Sequence, residues 1–298
     1  MIMFNIFRNK KLVKDTNPTQ GQLIWERFCE NKLSVLALIV LTLIVLTAIF
    51  ADVIADFESH AIAQNVMERM QKPSASHWFG TDNLGRDLFA RVIHGARYSM
   101  IFGIVCTALA LFGGCIFGAT AAYFGGKIDS VICRIMDTFM CIPFMLLALS
   151  LVSALGSGLK SMTIAMVIAS VPSFTRMIRS IVLTVVRQDY IEAARSCGSS
   201  HLSIIFSHVL PNAMGPIIVN ATMNVAGLIL SAAGLSFIGM GIQPPNPEWG
   251  YMLSEAMPYM RLAPHLVVFP GLAIIITALC FNLLGDGLAD ALDPKRRG

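Results

Sequence analysis

Six long apolar segments recur along this chain of 298 residues, and they restrict its fold more than any other feature. Each is long enough to cross a bilayer, which takes about 20 apolar residues. The segments are residues 33–54, 98–124, 131–155, 161–185, 212–237 and 264–284. A composition of 55% hydrophobic and 13% charged residues is also that of an integral membrane protein. The sequence therefore predicts an all-α integral membrane fold with six transmembrane helices.

The positions of Lys and Arg predict the orientation of these spans. An even number of spans puts both termini on one side of the membrane, and 15 of the 22 Lys and Arg residues fall on that side. Because positive residues are enriched in cytoplasmic loops, both termini are expected to be cytoplasmic. The net charge of +4 is then explained by anchoring at the membrane, and membrane lipid rather than nucleic acid is the expected partner.

Composition divides the chain into a cytoplasmic N-terminal arm, residues 1–32, and a transmembrane domain, residues 33–298. In the arm, Trp25 and Phe28 are three residues apart, as on one face of an interfacial helix that anchors the chain. The seven cysteines lie in or beside the predicted helices or on the cytoplasmic side. Their spacing predicts neither a disulfide nor a metal site.

The middles of the six predicted spans contain no Asp, Glu, Lys or Arg. A transporter driven by an ion gradient usually needs an ionisable residue near the bilayer centre. The predicted spans lack such a residue, so the sequence does not favour ion-coupled transport. Arg134 and Asp137 lie toward a helix end, where an i,i+3 ion pair and a functional role are equally compatible with the sequence.

An intramembrane hydrolase is the enzymatic alternative, because GLSFIG (234–239) places Ser236 near glycines and His265 is expected on the same side. A serine nucleophile needs a base within hydrogen-bond reach and donors for the oxyanion. One serine and one histidine are a weak signal, and no catalytic residue is predicted. Energy for any transport is therefore expected to come from a partner protein.

The stretch DYIEAARSCGSSHLSIIFSHVLPNA (189–213) lies on the predicted cytoplasmic side between the fourth and fifth spans. Residues 190–197 are rich in helix formers, and Gly198 can stop or bend that helix. Residues 202–209 support a second short helix, which Leu210 and Pro211 are expected to end before the fifth span. The predicted helix, glycine, helix unit would transmit force to both spans.

EAARSCG (192–198) followed by VLPNA (209–213) resembles the EAA loop of importer permeases in the ATP-binding cassette superfamily, which docks into a cleft of the ATPase subunit. His208 departs from this pattern, which generally has isoleucine there. The resemblance implies a coupling loop at about residues 186–211. The matching residues are Glu192, Ala193, Ala194, Gly198, Leu210 and Pro211.

Four further motifs resemble, in the same order, the C-type permease subunit of the dipeptide and oligopeptide branch. They are FGTDNLGRD (79–87), YFGGKID (123–129), QPPNPEWG (243–250) and GDGLADALDP (285–294), the last with Ala289 where relatives commonly carry arginine. The resemblance implies a bacterial inner-membrane importer with a second unlike permease subunit, two ATPase subunits and an extracytoplasmic substrate-binding protein. ATP would bind to the partner subunits, because this chain has no GxxxxGK[ST] phosphate loop and no predicted cofactor site.

The resemblance implies a cargo of small peptides, with dipeptide or oligopeptide ahead of glutathione and nickel a distant third. A membrane scaffold or receptor that does not transport is the remaining alternative. For such a protein, the cytoplasmic loop would be dispensable for uptake.

The fifth predicted span is the candidate wall of the translocation path. Asn220, Asn224, Gly227, Ser231 and Gly234 recur at steps of four, three, four and three residues, which places them on one helix face. Close helix packing through the same small residues explains the pattern equally well.

On the predicted outer side, an interfacial helix is expected within residues 77–99, capped by Thr81 or Asp82. The resemblance implies that Asp82, Arg86 and Asp87 brace the outer ends of the spans or contact the binding protein. A local, exposed charge pair is the simpler alternative. Trp249 is expected at the membrane interface.

Overall fold

Helices are the regular elements of the computed structural model, which describes residues 19–293. In chain order they are α1 (Gln20–Glu30), α2 (Lys32–Ile49), α3 (Ala51–Ile54), α4 (Leu88–Phe124), α5 (Gly126–Met140), α6 (Phe144–Leu155), α7 (Leu159–Val186), α8 (Asp189–Ser196), α9 (His201–Ile204), α10 (Leu210–Phe237), α11 (Trp249–Ala256) and α12 (His265–Leu292). Short π-helical turns occupy Phe57–Ile62 and Ile205–Val209, and 3-10 turns occupy Val66–Glu68 and Met257–Tyr259.

Five helical segments are long and apolar enough to cross a membrane: α2, α4, α7, α12 and the segment His201–Phe237 that contains α9 and α10. Helices α5 and α6 would together make a sixth span, but they bend by 82° where they meet. The prediction of an all-α membrane fold is confirmed, with five or six candidate spans. The prediction of one uninterrupted third span is wrong, because Pro143, which has no amide hydrogen, separates the two helices.

The bundle is built around the close contact of α4 with α7. A β-carbon at Gly118 of α4 would lie 2.7 Å from the carbonyl oxygen of Thr175 in α7, so only glycine allows the two backbones to approach this closely. Helix α12 packs against α2 and α10 on the other side of the bundle. Small residues thus serve close packing here, as is usual between membrane helices.

The bundle has two ends, which are named here by the short helices they carry. The α8 end contains α8 and α9, the last turns of α4 and α7, and the first turn of α10. The α11 end contains residues 51–87, α11 and the first turn of α12.

At the α8 end, the expected helix, glycine, helix unit is present, with Gly198 at φ +79° between α8 and α9. The prediction that Leu210 and Pro211 end the second helix is wrong, because the chain stays helical from His201 to Phe237. Pro211 lies in the first turn of α10, directly after the π-helical turn Ile205–Val209. A widened turn there accommodates a residue that lacks an amide hydrogen.

At the α11 end, the predicted interfacial helix is instead continuous with α4, which runs for 37 residues from Leu88. Its cap is Asp87 rather than Thr81 or Asp82. Residues 81–87 form a turn that is closed by an isolated bridge between Thr81 and Asp87. The Asp82 carboxylate accepts the backbone N–H groups of Leu84 and Arg86, which keeps these residues out of the helix.

Two further expectations about the C-terminal half are also wrong. Trp249 is 2% exposed, and its indole N–H donates to the carbonyl oxygen of Val92, so it is a buried packing residue. The segment after residue 284, which lies beyond the sixth predicted span, instead continues α12 to Leu292. Residues 294–298 of that segment, and residues 1–18 of the predicted arm, lie outside the described part of the chain. In α1, Trp25 stacks on Phe28, with ring centroids 5.8 Å apart.

Candidate functional site

The exposed face of α8 carries the first part of the predicted coupling loop. Glu192 and Ala193 are exposed, whereas Ala194 is partly buried and packs against an apolar cluster that includes the fully buried Ile191. Gly198 follows in a conformation that side chains rarely adopt, although a β-carbon added there would meet no other atom within 4 Å. The loop therefore has an exposed surface on one side and a packed base on the other.

The second part of the predicted coupling loop divides in the same way. Leu210 packs against that apolar cluster, and Pro211 is exposed in the first turn of α10. Beside α8 the surface has a polar depression of about 450 Å³. The residues that line it are Val186, Arg187, Gln188, Glu192, Arg195 and Ser196.

A cleft of about 330 Å³ lies where the break between α5 and α6 faces α7 and α10. Three of the residues predicted for the path, Asn224, Gly227 and Ser231, line it from α10. The remaining lining residues are Phe139, Met140, Ile142, Phe144, Leu147, Ala169, Ser170, Ser173 and Leu228. Sequence reasoning missed the α5–α6 break as a wall of this cleft.

The polar groups of the cleft are neutral amides and hydroxyls. The Asn224 side-chain nitrogen donates to the carbonyl oxygen of Asn220 at 2.8 Å. The Ser173 hydroxyl donates to the carbonyl oxygen of Ser170, also at 2.8 Å. Of the two other residues predicted for the path, Asn220 does not line the cleft, and Gly234 faces the side chain of Met145.

Two ion pairs join α5 to α7. Arg179 donates to both carboxylate oxygens of Asp129, at 2.5 and 2.6 Å, and Arg176 pairs with Asp137. The sequence allows a pair between Arg134 and Asp137, but Asp137 is instead bound by Arg176 on the neighbouring helix. The Asp137 pair is about half exposed on both sides, and Arg176 follows the cleft residue Ser173 by one helical turn.

At the α11 end, four charged side chains form a buried ionic cluster. Arg86 contacts Asp82 at 2.6 Å and Glu255 at 3.0 Å, and Arg91 contacts Glu255 at 2.9 Å. The two arginine side chains are only 4% and 2% exposed. The simpler alternative, an exposed local charge pair, is therefore wrong. Glu255, which sequence reasoning missed, brings α11 into the cluster.

Asp87, the third predicted residue of this region, does not belong to the ionic cluster. One of its carboxylate oxygens accepts the backbone N–H of Ala90 and caps α4, and the other lies 2.7 Å from His77 Nδ1. Asp87 therefore fixes the start of α4 and the loop that precedes it.

A buried carboxyl group, Glu248, caps α11 within the motif QPPNPEWG. It is 3% exposed and accepts the backbone N–H groups of Gly250 and Tyr251 at 2.9 and 2.8 Å. Burial raises the pKa of the Glu248 carboxyl above its ordinary value, and these two N–H groups offset part of the rise. Sequence reasoning missed this residue, although Glu248 directly precedes a helix, as an N-cap residue does.

The arrangement does not support the hydrolase alternative. Ser236 Oγ and His265 Nε2 are both buried, and they form no hydrogen bond with each other. A serine nucleophile requires such a contact with a base.

Comparison with known families gives matches over most of the chain. The family described as binding-protein-dependent transport system inner membrane component matches residues 114–298. The N-terminal TM domain of oligopeptide transport permease C matches residues 19–73.

Individual proteins are similar over nearly the whole length. The dipeptide transport system permease protein DppC of Alkalihalophilus pseudofirmus is 44% identical over 268 residues, 90% of this chain and 88% of that protein. The glutathione transport system permease protein GsiD of Escherichia coli O157:H7 is 44% identical over 291 residues, 96% of this chain and 95% of that protein.

Among solved structures, a chain of the MetNI methionine ABC transporter in an inward-facing conformation superposes with a TM-score of 0.57. It is 18% identical and covers 68% of this chain and 97% of its own length. At this identity the likeness concerns the fold alone.

Proposed function

We propose that this chain, which belongs to the binding-protein-dependent transport permeases of the OppC/DppC family, imports small peptides through the cleft between α5, α6, α7 and α10. As a member of that family it is a multi-pass inner-membrane permease subunit of a bacterial ABC importer. ATP is bound and hydrolysed by a separate ATPase subunit, and permeases of this family carry no cofactor.

The cleft is the observation that carries the cargo proposal. Its volume of about 330 Å³ is at the lower end of the range for small-molecule sites. Its walls combine apolar side chains with neutral amide and hydroxyl groups, and the lining residues include no charged side chain. Neutral walls suit a zwitterionic peptide that must leave as readily as it enters, because no fixed charge retains it.

Similar proteins support the same class of cargo. One transports dipeptide and another glutathione, which is itself a short peptide. Dipeptide or oligopeptide therefore remains first, with glutathione as the alternative. Nickel is disfavoured, because the cleft lining offers one thioether, Met140, and no imidazole, thiolate or carboxylate ligand.

Each partner is proposed to bind at a different part of the bundle. A second, unlike permease subunit would close the open side of the cleft. The α8 end is proposed to be cytoplasmic and to receive two ATPase subunits across the complete transporter. The positive residues Arg187 and Arg195, which lie at that end, agree with that orientation. The α11 end would then meet the extracytoplasmic binding protein.

Docking of the ATPase is assigned to the exposed part of the loop. Glu192 and Ala193 would enter the ATPase cleft, Gly198 would permit the turn, and Pro211 would border the contact. Ala194 and Leu210 pack inward, so they would hold the loop in place from behind. A bulky residue at Ala193 tests docking more directly than one at Ala194, which would also disturb the packing of the loop itself.

Ala193→Trp should abolish co-purification of the ATPase subunits while the permease pair still assembles. Ala63→Trp is the matched control, because Ala63 is also exposed but lies at the α11 end. Undiminished ATPase binding by Ala193→Trp would remove the docking assignment.

The cargo is tested with the complete transporter, purified with its partner subunits and reconstituted in liposomes. Tritiated dialanine should accumulate in an ATP-dependent manner when the binding protein is present, and Ni²⁺ should not. Accumulation of glutathione without dialanine would favour the glutathione alternative. Absence of ATP-dependent uptake of either peptide would reject the peptide cargo.

A further inference from the structure

The coupling loop is joined covalently to α7 and α10, but it also has a side-chain connection to α4. Tyr123, in the last turn of α4, places its hydroxyl oxygen 2.9 Å from Nδ1 of His201, the first residue of α9. The two rings meet edge to face, with centroids 5.6 Å apart. This is the geometry of a directed hydrogen bond supported by a ring contact.

The same tyrosine contacts the other half of the loop. The guanidinium carbon of Arg195, in the last turn of α8, lies 4.7 Å from the centroid of the Tyr123 ring. That distance is within the range of a cation–π interaction. One side chain of α4 therefore contacts both helices that flank Gly198.

Packing makes the connection stiff. Tyr123 is 6% exposed, and it belongs to the apolar cluster that contains Ile191 of α8 and Ile204 of α9. Moving the loop away from α4 would expose these apolar side chains and break the polar contact at the same time. If the loop and α4 move together, the apolar side chains stay buried and the polar contact stays intact.

Helix α4 also reaches the helices that form the cleft. Phe102 and Cys106 of α4 pack in one cluster with Met166 of α7 and Leu228 of α10, and Leu228 lines the cleft. A displacement of α4 at the α8 end is therefore carried by continuous packing to the wall of the cleft.

We propose that Tyr123 is a positioning residue that couples the docking loop to α4 through His201 and Arg195. A movement imposed on the loop by the ATPase then displaces α4 together with α7 and α10, and the cleft responds as a unit. This inference rests on the proposed function, since it requires that the ATPase dock on the loop. It adds a third helix to the two that the chain connectivity already links to the loop.

The test uses the complete transporter reconstituted with its binding protein and supplied with tritiated dialanine, or with glutathione if the wild type moves only that peptide. Transported peptide per ATP hydrolysed is measured for Tyr123→Phe, His201→Ala and His201→Asn. Tyr123→Phe should retain the ATPase subunits and basal hydrolysis. Both Tyr123→Phe and His201→Ala should lose roughly fivefold in this ratio, the order expected for one partly buried hydrogen bond.

His201→Asn provides the rescue. The asparagine amide reaches about the position of Nδ1 and again offers the Tyr123 hydroxyl a partner, so transport per ATP should stay within about twofold of the wild type. Tyr259→Phe is the matched control, since Tyr259 lies at the α11 end. It should leave the ratio unchanged.

A purely structural role for Tyr123 predicts a different pattern. The Tyr123→Phe and His201→Ala transporters would then be less stable to heat, yet transport per ATP would equal the wild-type value, and the proposal would be overturned. Loss of ATPase co-purification from Tyr123→Phe would equally overturn it, because docking rather than coupling would have failed. Failure of the proposed function itself is distinguished by the wild-type transporter, which would then bind no ATPase or move no peptide.

Discussion

Arg86 donates hydrogen bonds to both carboxylate oxygens of Glu255, at 3.0 and 3.1 Å, although the two residues are 169 positions apart in the chain. The contact fastens the loop that precedes α4 to α11 near the end of the chain. Arg86 is nearly fully buried, so its charge depends on Glu255 and Asp82 for stabilisation. Removing one member of a buried, paired group leaves the other charges uncompensated.

Arg86→Ala should therefore destabilise the folded permease by about 3–5 kcal/mol and reduce uptake, while the spans still insert. Thermal unfolding of the detergent-solubilised transporter and uptake in the same cells measure both effects. Arg261→Ala is the control, because Arg261 is an exposed arginine at the same end and should change the unfolding free energy by less than about 0.5 kcal/mol. Equal stability of the two variants would show that the ionic cluster contributes nothing.

The all-α membrane fold could be predicted from the apolar segments alone, because a bilayer requires long apolar helices. The break in the third span could not. Pro143 separates α5 from α6, whereas Pro172, Pro216 and Pro270 lie inside continuous helices. A proline permits a break, but whether the chain bends there depends on packing against neighbouring helices. These tertiary contacts cannot be read from the local sequence.

Part of the candidate site could likewise be predicted from the sequence, and part could not. The face of α10 that carries Asn224 and Ser231 follows from helical spacing, and both residues line the cleft. The burial of Trp249 and the pairing of Arg86 with Glu255 depend on how a distant loop folds back on α4. Local patterns contain no signal for such contacts, so for a tryptophan near a span they predict the membrane interface instead.

Cysteine labelling tests whether the cleft is wet. In a background without the native cysteines, Asn224→Cys and Ser231→Cys should react with a water-soluble thiol reagent in the assembled transporter. Ala226→Cys is the control on the same helix, because Ala226 is 1% exposed and faces α2 and α12. Asn220→Cys should react less than Asn224→Cys, since Asn220 lies outside the cleft. Protection of positions 224 and 231 in every transport state would reject a water-filled path there.

Gly198→Val should weaken ATPase docking by distorting the loop. Valine at φ +79° carries a conformational cost of about 1–3 kcal/mol, which the loop relieves by changing the angle between α8 and α9. Gly156→Val is matched to it, because Gly156 has φ +90° and open space around it but follows α6 at the other end of the bundle. Co-purified ATPase should fall for Gly198→Val alone, and a similar fall for both variants would point to general destabilisation.

Glu248 makes the stability of the α11 end depend on pH. Burial holds the pKa of its carboxyl above the ordinary value of 4.5, so folding favours the protonated form. Its contribution to stability is complete below about pH 4.5 and is lost as the pH rises through the raised pKa. Glu248→Gln cannot ionise, and the melting temperature of that variant should therefore fall less than the wild type's between about pH 5 and pH 8. Glu58→Gln, at an exposed carboxylate, should keep the wild-type pH dependence. If the wild type and Glu248→Gln lose the same number of degrees over that interval, the buried carboxyl is not the group that titrates.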